Sequence, residues 1–104
     1  MIYIKVHVTE DGPMLAMCDK NLIGKIIEEG DIYIDLKDYA EFYTGELINP
    51  QELSSKVVLA QIITANIVGK DSIQAAIKNK IIEKDKARKL ECGVIYAHSY
   101  RLNR

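Results

Sequence analysis

Residues 2–18, IYIKVHVTEDGPMLAMC, decide the fold. Ile2, Ile4, Val6 and Val8 fall on one side of an extended chain, and Tyr3, Lys5 and His7 on the other. Successive strand side chains point to opposite faces, so this two-residue period predicts a half-buried strand. Glu10-Asp11-Gly12-Pro13 is a turn by composition, and Met14 to Cys18 reads as the returning strand of a hairpin. A chain that opens on a hairpin with one apolar face must find something to cover that face.

Downstream, Asp19 to Lys25 contains Asn and Gly and reads as a turn or one helical turn. Ile26-Ile27 can begin a strand, Gly30-Asp31 punctuates, and Ile32, Ile34 and Leu36 alternate as a third strand. Residues 37–48 read as a loop with some extended structure. Asn49-Pro50-Gln51-Glu52 then combines an N-cap residue, a proline suited to the first helical position and an acid three residues after the cap. Leu53, Val57, Ala60, Thr64 and Ile67 recur at helical spacing, which predicts a long buried helix from Asn49 to about Val68, stopped by Gly69. A second helix is expected from Asp71 or Ser72, with Ile73, Ala76, Ile77 and Ile81 on one face. Residues 82–91 are polar, a helical extension or a loop. A final strand is expected over Val94–Leu102, with Val94, Tyr96, His98, Tyr100 and Leu102 on one side and Ile95, Ala97, Ser99 and Arg101 on the other. The order predicts an α+β fold: an antiparallel or mixed sheet of about four strands with two main helices packed on one face, in a single domain spanning 1–104.

Composition limits the function classes. Apolar residues make up 48% of the 104 and charged residues 28%, as in a folded protein with an aliphatic core. The amino-terminal segment alternates and does not form the continuous apolar stretch of a leader. The longest uncharged run, Val57 to Gly69, is polar at Gln61, Thr64 and Asn66 and falls well short of the ~20 residues of a membrane span. A cytoplasmic protein with two reduced thiols, Cys18 and Cys92, and no membrane partner is expected. The net charge of −1 hides a split: four Lys against eleven acids in residues 1–52, then ten Lys or Arg against four acids in 53–104.

No glycine-rich phosphate loop is present, and no cofactor is expected. His7, Cys18, Cys92 and His98 would suffice for a tetrahedral zinc site, but none shows local metal-ligand pairing. Cys92 and His98 lie six residues apart without a nucleophile motif, so neither receives a role. The acids from Glu28 to Glu46 lack calcium-loop spacing and read as a solvated face. No catalytic and no metal residues are assigned. Lys78, Lys80, Lys84, Lys86, Arg88 and Lys89 form a basic stretch interrupted by Glu83 and Asp85. With Arg101 and the aromatics Tyr96 and Tyr100, they are the candidate nucleic-acid contacts, because phosphates attract cations and unpaired bases stack on rings. Tyr43, Gly45 and Glu46 form a candidate loop site, set against the plainer reading of a tight turn.

Three segments carry a family resemblance: Glu41-Phe42-Tyr43-Thr44-Gly45-Glu46-Leu47, Ala65-Asn66-Ile67-Val68-Gly69, and Gly93-Val94-Ile95-Tyr96-Ala97-His98. In this order they resemble the archaeal domain-of-unknown-function 424 family, whose members carry Phe-Tyr-Gly-Gly-Glu-like, Asn-Leu-Val-Gly-like and Pro-His-Ala-like segments. Thr44 stands at the first of the two glycines, and Ala97-His98 is displaced from the Pro-His-Ala pattern. The resemblance implies a small archaeal cytoplasmic protein with no established activity or cofactor. From the residues themselves, the leading expectation is a non-enzymatic binding module contacting RNA or a ribonucleoprotein through the basic carboxy-terminal half. The alternative is a protein-interaction or structural domain, including a homodimer, and an enzyme without a legible motif comes third.

Overall fold

The computed structural model describes residues 1–58 and 61–99. Its main sheet has six strands in the order β5-β1-β2-β6-β8-β7. β1 (Ile2–Thr9) and β2 (Gly12–Asp19) are the opening hairpin, paired from Ile2 opposite Asp19 to Thr9 opposite Gly12. The turn is tightened by Thr9, whose hydroxyl donates to Gly12 O at 2.7 Å and accepts from Asp11 N–H at 3.2 Å. β3 (Ile26–Glu29) and β4 (Ile32–Asp35) form a separate two-stranded hairpin around Gly30. A single helical turn, α1 (Ala40–Tyr43), leads into the short β5 (Glu46–Ile48), which pairs with Ile2, Tyr3 and Ile4.

The long helix expected from Asn49 does not form. A 3-10 turn at Pro50–Glu52 and one α turn, α2 (Leu53–Lys56), are followed by β6 (Thr64–Val68), a strand inserted between β2 and β8. The start signal itself is genuine: Glu52 Oε1 accepts from Asn49 N–H at 2.9 Å. What failed is the period. β6 is central, parallel to β2 and antiparallel to β8, and covered on both faces, so its apolar residues run on without alternating. Such a run matches a buried helix as well as a buried strand, and the β-branched Thr64, Ile67 and Val68 settle it for the strand.

The other helix is α3 (Lys70–Lys78), the longest of the described helices, with Ser72, Ile73, Ala75 and Ala76 buried. After it come a 3-10 turn at Lys84–Lys86, the two-residue β7 (Arg88–Lys89) and β8 (Ile95–Ser99). The part of the expected last strand beyond Ser99 lies outside the described residues. The fold is thus α+β with a mixed sheet, but with six strands plus a hairpin in place of about four, and with short helices in place of two main ones.

Strand alternation divides the core into two clusters. Ile2, Ile4, Leu15, Met17, Ala65, Ile67 and Ala97 project to the face covered by α3 and α2. Cys18, Val68 and Tyr96 project to the opposite face, where Leu22, Ile27, Leu36 and Leu90 pack around the β3–β4 hairpin. Each buried Leu or Ile contributes roughly 1.5–3 kcal/mol by leaving water. α3 is anchored by a distant residue: the buried carboxylate of Asp19 accepts from Asp71 N–H (3.1 Å), Ser72 N–H (2.8 Å) and the Ser72 hydroxyl (2.8 Å). An anion satisfying the free amides of a helix start is favourable by geometry and by dipole. Gly69 is required there. Its φ is +111°, and a Cβ would sit 2.3–2.6 Å from the Asp19 carboxyl atoms.

A candidate binding pocket on the sheet face opposite the helix

Among the described residues, the face turned away from α3 is only partly covered. Register places Lys5 opposite Ala16, Ala16 opposite Asn66 and Asn66 opposite His98, a row of side chains on that face. The neighbouring row runs Tyr3, Cys18, Val68, Tyr96, Arg88. Adjacent members of a row stand about 4.8 Å apart across the strands.

α1 lies over the β1 end of these rows. Lys5 Nζ donates to Glu41 O at 2.8 Å, and His7 Nε2–H donates to Phe42 O at 2.8 Å. The His7 ring also stacks on Phe42 at 4.5 Å between centroids, and Phe42 meets Tyr43 edge-on at 5.0 Å. The β3–β4 hairpin stands on the other side. Between them an open pocket of about 380 Å³ is lined by Tyr33, Asp35 and Tyr39 from the hairpin side, Phe42 and Tyr43 from α1, and Asn66, Val68, Tyr96 and His98 from the sheet. That volume is at the small end of ligand sites.

The polar groups have definite roles. Asn66 Nδ2–H donates to Met14 Sδ at 3.3 Å, which turns Oδ1 toward His98. Oδ1 accepts a short hydrogen bond from His98 Nδ1–H, and the tautomer with that proton has Nε2 as its acceptor. Burial, and secondarily the Cys18 thiol, pushes the Tyr43 hydroxyl up to about 12, so it remains a donor. Burial, then the neighbouring Asp19 charge, pushes Cys18 up to about 12 as well, which makes it a packed thiol and not a nucleophile. On the hairpin wall, Asp35 foremost, then partial desolvation and the charges of Glu28 and Asp38, raise Tyr33. That wall carries a negative field. The arrangement can stack a planar group and offer it hydrogen bonds.

Of the loop candidates, Tyr43 lines this pocket, while Glu46 turns to an ion pair with Lys56 at 2.9 Å on the sheet edge. Gly45 serves close approach: a Cβ there would be 2.3 Å from Ile4 O. The basic residues do not line the pocket. Lys78 ends α3, Lys80 follows it in the left-handed region at φ 60°, Lys84 and Lys86 begin and end the 3-10 turn, and Arg88 and Lys89 form the outermost strand. The two groups meet at one place, where Arg88 pairs with Tyr96. Tyr100 and Arg101 lie outside the described residues. The four zinc candidates are not brought together. Cys18 is buried, Cys92 is exposed, and His7 and His98 are bonded to Phe42 and Asn66. Among the described residues no three His, Cys, Asp or Glu side chains are grouped as metal ligands. No helix among the described residues is long and apolar enough to cross a membrane.

Sequence reasoning missed Asn66, Tyr33, Tyr39 and Asp35 as site residues. Asn66 had a signal, a polar side chain inside an otherwise apolar run. Tyr33 and Asp35 of the hairpin and Tyr39 before α1 had none, since only tertiary placement brings them to the sheet.

Fold and pocket together define an α+β protein with an aromatic-lined pocket on the sheet face opposite its longest helix. The chain belongs to the family described as "Protein of unknown function (DUF424)", whose model matches residues 6–99. The three segments that carried the resemblance supply Phe42 and Tyr43, Asn66 and Val68, and Tyr96 and His98, so they converge on this one pocket. The chain is also similar to the crystal structure of an uncharacterized conserved protein from Methanopyrus kandleri, with a TM-score of 0.79 and 21% identity over 99% of this chain and 93% of that one. That likeness shows the fold. No curated protein matches the chain.

Proposed function

We propose that this protein is a non-enzymatic binding module for single-stranded RNA, free or within a ribonucleoprotein. Phosphates lie along the basic edge at Lys84, Lys86, Arg88 and Lys89, and a base reaches inward to Tyr96. The observation that carries this reading is the cross-strand pairing of Arg88 with Tyr96. Paired residues on antiparallel strands project to the same face, so Arg88 of the basic edge and the aromatic pocket are one strand apart, about 5 Å. Cations that neutralise phosphates beside a ring that stacks on a base are the two elements of single-strand recognition. All four basic side chains belong to exposed residues.

The test is RNA binding by the wild type and by the quadruple charge reversal K84E/K86E/R88E/K89E, at low and at physiological salt. The wild type is expected to bind with log K falling against log salt at about −0.7 per phosphate contacted. The reversal is expected to abolish binding. Absence of binding at low salt, or binding indifferent to the reversal, refutes the proposal.

A further inference from the structure

We infer that the pocket selects one unstacked base bearing an exocyclic amino group, such as adenine or cytosine, and discriminates against uracil. This rests on the RNA reading above and names what the same site would choose.

Asn66 sets the polarity of the pocket floor. Its amide nitrogen is committed to Met14 Sδ, so the oxygen faces His98 and takes the Nδ1 proton. With that proton on Nδ1, the neutral tautomer carries its lone pair on Nε2. Asn66 acts as a positioning residue, and His98 presents an acceptor. The pocket is also lined by Asp35, whose Oδ1 accepts from Lys37 N–H at 3.0 Å and Asp38 N–H at 2.9 Å and whose carboxylate takes a bond from Tyr33. A carboxylate holds more lone pairs than those bonds use. The pocket therefore shows acceptors on two sides, in the negative field that also raises Tyr33.

Two exclusions follow. A phosphate is repelled from the pocket and stays on the basic edge, so a nucleotide can enter only base first. A base that turns carbonyl oxygens to these acceptors gains nothing and leaves them desolvated. Uracil has two carbonyl groups and a single ring N–H. An amino group has two hydrogens, one for His98 Nε2 and one for Asp35, whereas the ring N–H of uracil serves one acceptor and leaves the other facing a carbonyl. Sites built around a buried hydrogen bond reject the analogue lacking it more strongly than sites built on size. The flanking rings of Tyr96 and Phe42 accept any base, so discrimination falls to His98 and Asp35.

The experiment compares oligo(A), oligo(C) and oligo(U) of equal length, at one low salt concentration, on the wild type and on His98→Ala. His98 is exposed, so the substitution leaves the core intact. Oligo(A) and oligo(C) are expected to bind about tenfold or more tightly than oligo(U), the scale of one hydrogen bond. His98→Ala is expected to erase that preference. Equal affinity for all three, or a preference that survives in His98→Ala, overturns the selection while the RNA reading stands. Failure of every oligonucleotide to bind overturns the RNA reading and this inference with it.

Discussion

Replacing Gly69 by alanine tests the joint that fixes α3 to the sheet. The new methyl would lie 2.3 Å from Asp19 Cγ and within 2.6 Å of both carboxylate oxygens. The carboxylate must move, and its three hydrogen bonds to Asp71 and Ser72 go with it. Bonds to a charged acceptor are worth roughly 1.5–3 kcal/mol each, not additively, so losing the cap costs about 4 kcal/mol. The backbone at φ +111°, ψ 151° lies in a region open essentially to glycine, which adds about 1–3 kcal/mol for alanine. Gly69→Ala should therefore cost about 5–7 kcal/mol, and Asp19→Ala alone about 4. The double variant has no carboxylate to displace, so it should cost only about 1–3 kcal/mol more than Asp19→Ala and no more than Gly69→Ala alone. Guanidinium unfolding in a stabilising osmolyte reads all four corners of this cycle. If Asp19→Ala costs the same in both backgrounds, the coupling is absent and the account of Gly69 is wrong.

Two further predictions concern stability. Cys18 and Tyr43 have folded-state values pushed up to about 12 from 9.0 and 10.0, so their neutral forms are favoured by folding and their contribution is complete below pH 9 and lost as pH rises toward 12. Urea unfolding at pH 8 and pH 11 should show a loss of about 2–3 kcal/mol from the thiol, reduced in Cys18→Ala; equal stability at the two pH values would contradict it. Gly45→Ala should separate β5 from β1, because its Cβ meets Ile4 O at 2.3 Å and Lys5 Cβ at 2.9 Å. An overpacking cost of about 1–3 kcal/mol and faster amide exchange at Glu46–Ile48 are expected, and unchanged exchange would show that the approach is not tight.

The legible parts of the fold were those where one face is wet. β1 alternates because only one of its sides is deeply buried, and the faces of β8 separate in the same way, with Ile95 and Ala97 toward α3 and Val94 and Tyr96 toward the hairpin. β6 was illegible for the opposite reason. Thr64, Ala65, Ile67 and Val68 are all buried, so nothing in the pattern reports a period. The cap of α3 was illegible because its partner, Asp19, lies more than fifty residues away. The site was half legible. Phe42, Tyr43, Asn66, Tyr96 and His98 all fall in the three segments that marked the family, but only the register of β2, β6 and β8 shows that these segments meet.

The position of the pocket follows from how unequally the two sheet faces are covered. α3 and α2 close one face with aliphatic side chains, and the residues beneath them are almost fully buried. Among the described residues, the other face receives a two-stranded hairpin and a four-residue helix, which together cannot span six strands. A sheet face left open in this way must carry side chains that tolerate both water and apolar neighbours. Tyrosine does so, because its ring packs while its hydroxyl stays wet. That accounts for half-buried Tyr43 and Tyr96 at the pocket without any appeal to function. It does not account for Asn66 and His98. Threonine or valine would serve a half-open strand position better than asparagine, and an exposed histidine on β8 needs no partner. Their mutual bond, with Met14 fixing the amide, orients two polar groups that the fold itself does not require. Orientation of that kind is what distinguishes a binding surface from a merely uncovered one, and it is why His98 is the residue on which the selectivity experiment turns.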